Sequence, residues 1–202
     1  MKRSIYLNCV AKKIMFCMSL LFSVNAFGVD FKVNGMYFTI TSKEDMTVSL
    51  TAPDYWGHYK GDIIIPEFVT YNNKKYRVTS LDDKSFRGCS KLISLTIPKS
   101  IISIETSFKE CNNLKSVTLY CKNVKDYMFY ERTSLKKVIL GEGVETIGKE
   151  AFYHCGPLES LTISNTVISI GDNAFEGCGS LESVTIPSSV RSIGAAAFYN
   201  CI

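Results

Sequence analysis

The chain has 202 residues, of which 46% are apolar, 21% charged and 12% aromatic, a composition that excludes an intrinsically disordered protein. Its formal charge of +4 arises in the first 26 residues, which hold four of the 23 Lys and Arg and none of the 19 Asp and Glu. The remaining chain is neutral and lacks the basic stripe that phosphate binding requires. We therefore expect no nucleic-acid partner.

Residues 1–26 have the pattern of a secretory signal peptide. After a basic start, an apolar run extends from Ile14 to Val24, and the small residues Val24 and Ala26 predict cleavage after Ala26. This run is too short for a membrane span, which needs roughly 20 residues. A retained anchor is the alternative. We expect a mature protein without a membrane span that is secreted or lies at the cell surface.

Residues 27–60 are predicted to form a small β-meander that caps the N-terminal end of the fold. The pair Asn34-Gly35 lies between VDFKV and MYFTIT, and Asn-Gly suits both positive-φ positions of a type I′ hairpin. A further turn at SKED leads into MTVSLT. The loop that follows contains the only tryptophan, Trp56, which either stacks on a sugar ring or packs the cap onto the next segment together with Tyr59.

Residues 61–202 are predicted to form an array of repeats with a period of 23 residues, as in LESLTISNTVISIGDNAFEGCGS at residues 158–180. The strand-like segment GDIIIP precedes a partial copy of the repeat, and the full units follow. The unit at residue 114 is two residues short and has Arg132 where other units have Cys. The full units begin at residues 92, 114, 135, 158 and 181.

Each unit combines a strand, a short apolar pair and a turn. In the unit 158–180 the alternation from Ser160 onward predicts a strand with one buried face. The pair Val167 and Ile170 follows, and Gly171 is predicted to adopt a positive φ. A single turn with helical spacing then faces inward with Ala174, Phe175 and Cys178.

Such a unit cannot bury its own apolar face, so the fold class is a mainly β repeat solenoid in which neighbouring units stack. Five stacked strands give a sheet about 24 Å long at about 4.8 Å per step. One phenylalanine in each unit is expected to join a buried spine. Its members are Phe86, Phe108, Phe129, Phe152, Phe175 and Phe198.

The pattern L-x-S-V-T-I-P-x-S-V-x-S-I-G-x-x-A-F-x-x-C resembles the leucine-rich repeat of the BspA-like surface-protein family, also called the Treponema pallidum type. The segments FKVNGMYFTITS, YKGDIIIP and VTYNNKKYRVTSL resemble this family too, so the likeness covers residues 31–202. It implies an exported leucine-rich-repeat solenoid and, for some members, attachment to host proteins or to other cells. It implies no catalytic residue.

The residue types that support catalysis or metal binding do not cluster. Five of the six cysteines beyond residue 26 occupy one position of the repeat, and none forms a C-x-x-C pair. They form either a reduced, buried ladder or at least one disulfide. His58 and His154 lie far apart. We predict no metal site, no cofactor and no enzymatic activity. The cysteines are Cys89, Cys111, Cys121, Cys155, Cys178 and Cys201.

The candidate ligand-binding face is the set of strand positions that point away from the core, together with Trp56. It is either a solvated β face or a flat, hydroxyl-lined binding surface. The candidate residues are Ser94, Thr96, Ser116, Thr118, Lys137, Ser160, Thr162, Ser183 and Thr185. The predicted function is non-catalytic binding or adhesion to a protein or glycan, and the alternative is a structural spacer that carries another domain.

The last unit is expected to lack a cap, because no closing strand or polar helix follows Cys201. Solenoid ends need a polar outer face to remain soluble. We therefore expect an array that is truncated at its C-terminus and open to end-to-end self-association. The apolar residues expected at this end are Leu181, Val184, Ile186, Ile193 and Phe198.

Overall fold

The computed structural model describes residues 28–53, 56–105 and 108–201, so the predicted signal peptide lies outside the described residues. Within these ranges all regular secondary structure is strand. The strands are β1 (Phe31–Val33), β2 (Met36–Ser42), β3 (Thr47–Thr51), β4 (Gly61–Ile64), β5 (Phe68–Tyr71), β6 (Lys74–Leu81), β7 (Leu92–Ile97), β8 (Ser103–Ile104), β9 (Ser116–Leu119), β10 (Asn123–Val124), β11 (Lys137–Leu140), β12 (Thr146–Ile147), β13 (Ser160–Ile163), β14 (Ser169–Ile170) and β15 (Ser192–Ile193).

The N-terminal part is a mixed sheet in the order β1-β2-β3-β6-β5. The predicted hairpin is confirmed, because β1 and β2 are antiparallel and Asn34 and Gly35 have φ values of 49° and 82°. Strand β6 pairs in parallel with β3 and also with β8, the first short strand of the repeat array. The sheet that begins with the β-meander therefore continues past residue 60 into the array.

The longest side of the solenoid is a parallel five-stranded sheet in the order β13-β11-β9-β7-β4. Apolar residues alternate inward along each strand, as in Val117 and Leu119 of β9, which are buried. The number of strands agrees with the prediction, but β4 supplies the first of them. Residues 181–187 of the last unit form no strand, so β13 is the edge of this sheet.

A second, narrower parallel sheet is formed by the two-residue strands β10, β12, β14 and β15. Of the predicted apolar pair Val167 and Ile170, only Ile170 lies in β14, and both residues are buried. Cys121 occupies the position that corresponds to Val144 and Val167, because the unit at residue 114 is shortened just before it. This cysteine therefore fills the core beside the second sheet and stands outside the main cysteine column.

The third side consists of stacked turns. The predicted single turn is present, and within it the N–H of Cys178 donates to the Phe175 carbonyl at 3.2 Å. The inward direction of Ala174, Phe175 and Cys178 is confirmed. The backbone also bonds from unit to unit: the N–H of Phe152 donates to the Ala174 carbonyl at 2.8 Å, and the N–H of His154 donates to the Glu176 carbonyl at 2.7 Å. This ladder satisfies main-chain groups along the solenoid axis.

From Tyr127 onward, two residues of each turn, four positions apart, have positive φ although most of them are not glycine. Glu150 has φ 53° and His154 has φ 52°, and the next unit repeats this at Asn173 and Gly177. Left-handed residues are uncommon outside glycine and cost energy unless the surrounding structure supports them. Here the inter-unit hydrogen bonds supply that support.

Gly171 does not have the positive φ that we predicted. It is required for a different reason, the close approach of adjacent turns. A Cβ on Gly171 would lie 2.7 Å from the carbonyl carbon of Gly148 and from the amide nitrogen of Lys149. Gly194 is equally crowded, with the Asp172 amide nitrogen 2.4 Å from its hypothetical Cβ. This column of glycines sets how tightly the units stack.

The predicted phenylalanine spine is confirmed. Adjacent rings have centroids 4.9 to 5.3 Å apart from Phe86 through Phe198. The first five are fully buried and Phe198 is half-buried. Tyr59 extends the spine by one ring at its N-terminal end, 5.3 Å from Phe86. The spine thus links the N-terminal segment to the repeat core.

Candidate binding surfaces

The outer face of the five-stranded sheet carries two columns of side chains in register. One column combines hydroxyl and charged groups, and the other consists of threonine and isoleucine. Side chains in each column are one strand spacing apart, about 4.8 Å. The first column is Asp62, Ser94, Ser116, Lys137 and Ser160. The second column is Ile64, Thr96, Thr118, Ile139 and Thr162.

Seven of the predicted candidate residues lie in these columns: Ser94, Thr96, Ser116, Thr118, Lys137, Ser160 and Thr162. Ser183 and Thr185 are exposed, but they lie in the part of the last unit that forms no strand. Trp56 is away from this face, beside the turn of the first unit, where a Cβ on Gly88 would meet its ring at 2.7 Å.

The two aromatic residues Trp56 and Tyr59, in the loop before β4, have different environments. Tyr59 packs the N-terminal segment onto the first repeat, and its hydroxyl donates to the Thr51 carbonyl at 2.5 Å. Trp56 remains 70% exposed while it lies against Gly88. The packing role is confirmed for Tyr59, whereas Trp56 is a surface side chain.

The sequence reading missed three residues of the sheet face: Asp62, Ile64 and Ile139. Ile64 is 69% exposed, and Asp62 accepts a hydrogen bond of 2.5 Å from the Ser94 hydroxyl. The pattern of GDIIIP predicts a strand that precedes the repeats, but it does not indicate which of its side chains face outward. The alternation of Ile139 with Lys137 could have identified that residue, because both are outward positions of one strand.

The cysteine column is buried, and its thiols bond from unit to unit. The Sγ of Cys155 donates to the Phe129 carbonyl at 3.2 Å, and the Sγ of Cys178 donates to the Phe152 carbonyl at 3.4 Å. All six described cysteines are free thiols. Burial raises the pKa of Cys155 to about 12. These thiols are structural donors of low reactivity at neutral pH.

Arg132 replaces a thiol of this column and makes the equivalent contact. Its Nη1 donates to the Phe108 carbonyl at 3.3 Å, and also to the Lys109 carbonyl. Four cysteines of the column likewise donate to the phenylalanine carbonyl of the preceding unit: Cys111, Cys155, Cys178 and Cys201. Its Nε donates to the Tyr130 carbonyl at 3.1 Å. The arginine is buried, with only 8% of its surface exposed.

Among residues 28–53, 56–105 and 108–201 no three His, Cys, Asp or Glu side chains group together in a way that could hold a metal ion. His154 is exposed on the turn side, as expected. In the same ranges no helix has the length and apolarity to cross a membrane.

The profile of the family described as "BspA type Leucine rich repeat region (6 copies)" matches residues 79–202. The chain belongs to the BspA-type leucine-rich-repeat family. The resemblance read from the repeat pattern is thus confirmed, and proteins with leucine-rich repeats generally bind other proteins. A search of curated proteins found no match.

Solved structures with the same fold include three bacterial proteins. The T. pallidum leucine rich repeat protein is 20% identical, with a TM-score of 0.56 over 85% of this chain and 88% of that one. A leucine rich cell surface protein from Faecalibacterium prausnitzii is 23% identical, with a TM-score of 0.53 over 85% and 52%. A leucine-rich repeat protein from Eubacterium ventriosum is 32% identical, with a TM-score of 0.55 over 62% and 35%. The chain thus spans about half of the Faecalibacterium protein and about a third of the Eubacterium protein.

Proposed function

We propose that this BspA-type chain is an exported, non-catalytic recognition module that binds a protein through the outer face of its five-stranded sheet. The observation that carries the proposal is the second column, in which Ile64 and Ile139 lie in register with three threonines. A strip of methyl groups beside a strip of hydroxyl groups suits the mixed apolar and polar contacts of a protein partner.

The charges at this face favour a defined orientation of the partner. Asp62 lies at one end of the first column and Lys137 lies three strands away, so opposite charges are about 14 Å apart along the sheet. Charge separation of this kind selects the register of a partner more than it adds affinity.

Export and a location at the cell surface or in the medium belong to the same proposal. They are supported by the signal-peptide pattern of residues 1–26 and by the description of the Faecalibacterium structure as a cell surface protein. We further propose the division into a signal peptide (1–26), an N-terminal cap (27–60) and a repeat array (61–202).

Binding of the chain to immobilised extracellular matrix proteins, measured by biolayer interferometry, tests the proposal. Ile139→Thr is the informative variant because Thr96, Thr118 and Thr162 already occupy that column, so the sheet should tolerate the change. We expect saturable binding that weakens at least about fivefold, since one buried isoleucine-sized contact contributes about 1 kcal/mol or more.

Ile168→Thr is the matched control, because Ile168 is an exposed isoleucine that precedes β14 of the second sheet. This control should bind as the unchanged chain does. Equal weakening by both variants, or saturable binding that neither variant alters, would assign recognition to another surface. A complete lack of binding would favour the spacer role.

A further inference from the structure

The irregular unit, residues 114–134, opens a cavity of about 400 Å³ on the turn side, away from the sheet face. Met128 and Arg132 stand where regular units have alanine and cysteine, and these longer side chains line the cavity. Pockets of about 300 Å³ and above accommodate small ligands. The other lining residues used below are Tyr127, Tyr130, Glu131 and Glu150.

The guanidinium of Arg132 has an uncompensated charge at this cavity. Its acceptors are the carbonyls of Phe108, Lys109 and Tyr130 and the side-chain oxygen of Asn112, all of them neutral. Among the described residues its Nη2 has no hydrogen-bond partner, and no ion pair includes it. A buried guanidinium without an anion is costly, and its free N–H groups suit a carboxylate.

Two tyrosine rings form the aromatic wall of the cavity. The centroids of Tyr127 and Tyr130 are 6.1 Å apart, and Tyr130 stacks on Tyr153 at 5.0 Å with nearly parallel planes. The Tyr130 ring is therefore held in one orientation, and a fixed aromatic face is suited to pack against the apolar C–H face of a pyranose ring.

Carboxylates on the rim provide acceptors for hydroxyl donors. Glu131 and Glu150 line the cavity, and the ammonium of Lys149 lies 3.5 Å from Glu150. Lys149 thereby offsets the charge of Glu150, so the rim does not repel an anion as two free carboxylates would. Ionised carboxylates accept hydrogen bonds only, which matches ligand hydroxyl groups.

We propose that this cavity binds an acidic monosaccharide unit of the uronic acid class. The carboxylate of the sugar pairs with Nη2 of Arg132, the apolar face of its ring packs on Tyr130, and its hydroxyls donate to Glu131 and Glu150. This site is separate from the sheet face, so either proposal can fail without the other.

The test compares methyl β-D-glucuronide with methyl β-D-glucopyranoside. The two sugars differ at one ring carbon, which carries a carboxylate in the first and a hydroxymethyl group in the second. Titrations of the full chain are followed by ligand-observed and amide NMR. We expect the glucuronide to bind at least about tenfold more tightly, because a charge-assisted hydrogen bond contributes that much. Shifts should centre on residues 127–132. Equal binding of both sugars, or no binding of the glucuronide up to about 10 mM, would overturn the proposal.

Arg132→Cys removes the guanidinium and restores the residue that other units have at this position, so the fold should persist. It should abolish the preference for the glucuronide. Arg132→Lys, which keeps the charge but loses Nη2, serves as the second variant and should lose most of the preference. Tyr130→Ala should weaken both sugars, whereas Tyr199→Ala changes the equivalent turn residue in the last unit and should weaken neither. An unchanged preference in both arginine variants would exclude Arg132 as the anion site.

Discussion

The regular units, residues 135–180, and the irregular unit, residues 114–134, both stack on their neighbours, but they differ in the residues at two equivalent positions. In the regular units a glycine lets the turn approach its neighbour, and a thiol donates to the preceding phenylalanine carbonyl. The irregular unit has Lys125 at the glycine position and Arg132 at the thiol position. Both kinds of unit keep the spine phenylalanine, whereas the turn around it differs and borders a cavity in the irregular unit.

The largest effect is expected from Phe152→Ala. The ring of Phe152 is fully buried between Phe129 and Phe175, at centroid distances of 5.3 and 5.1 Å. Its removal should lower the free energy of unfolding by about 3 to 5 kcal/mol, as measured by chemical denaturation. Phe198→Ala, at the half-buried end of the spine, should cost much less. A loss below about 1 kcal/mol for Phe152→Ala would mean that the ring is peripheral.

Gly171→Ala tests whether close approach, and not backbone conformation, explains the glycine column. The added Cβ would lie 2.7 Å from the backbone of the preceding turn, which cannot move independently of the ladder. We expect a loss of about 1 to 3 kcal/mol by denaturation. Gly156→Ala is the control, because no atom lies within 4 Å of its hypothetical Cβ. Equal losses in the two variants would remove the distinction.

Cys155 should make the free energy of unfolding depend on pH in the alkaline range. Arg132, at the equivalent position of the irregular unit, has no thiol that could contribute such a dependence. Burial raises the pKa of this thiol to about 12, whereas in the unfolded chain it is about 8.5. The contribution to stability is therefore complete below about pH 8.5 and is lost as the pH rises toward 12, at about 1.4 kcal/mol per pH unit.

Cys155→Ala should flatten this dependence. Urea denaturation of the variant between about pH 9.5 and 11.5 should give a slope shallower by about 1.4 kcal/mol per pH unit. The lost contact itself adds only a constant offset, which measurements near pH 7 establish. If the two slopes coincide, the thiol ionises as readily in the folded chain as in the unfolded one.

The smallest effect is expected at the exposed ion pairs between units. The Nζ of Lys136 lies 2.8 Å from Glu159 within the regular region, and the Nζ of Lys122 lies 3.1 Å from Glu145 where the irregular unit meets it. Both pairs are exposed to solvent. Double-mutant cycles should give coupling energies of about 0.2 to 1 kcal/mol that decrease with added salt. A clearly larger coupling at either pair would mean that it anchors the junction.

The strands, the spine and the hairpin could be predicted because each depends on local periodicity. The alternation in SLTI determines which side of the strand is buried, and Asn34-Gly35 determines the hairpin. The recurrence of phenylalanine every 21 to 23 residues places one ring in each unit. These features need only the chain's own spacing and the requirement that a small unit bury its apolar face by stacking.

The features that only the tertiary structure determines are those that depend on contacts between units. The role of Gly171 follows from the distance to the neighbouring turn, and the positive φ of Glu150 is supported by hydrogen bonds to the next unit. The alignment of Ile64 with the threonine column, and the free Nη2 of Arg132 at a cavity, likewise require the register of adjacent units. Sequence spacing determines which side chains each unit presents, whereas axial stacking determines which of them meet.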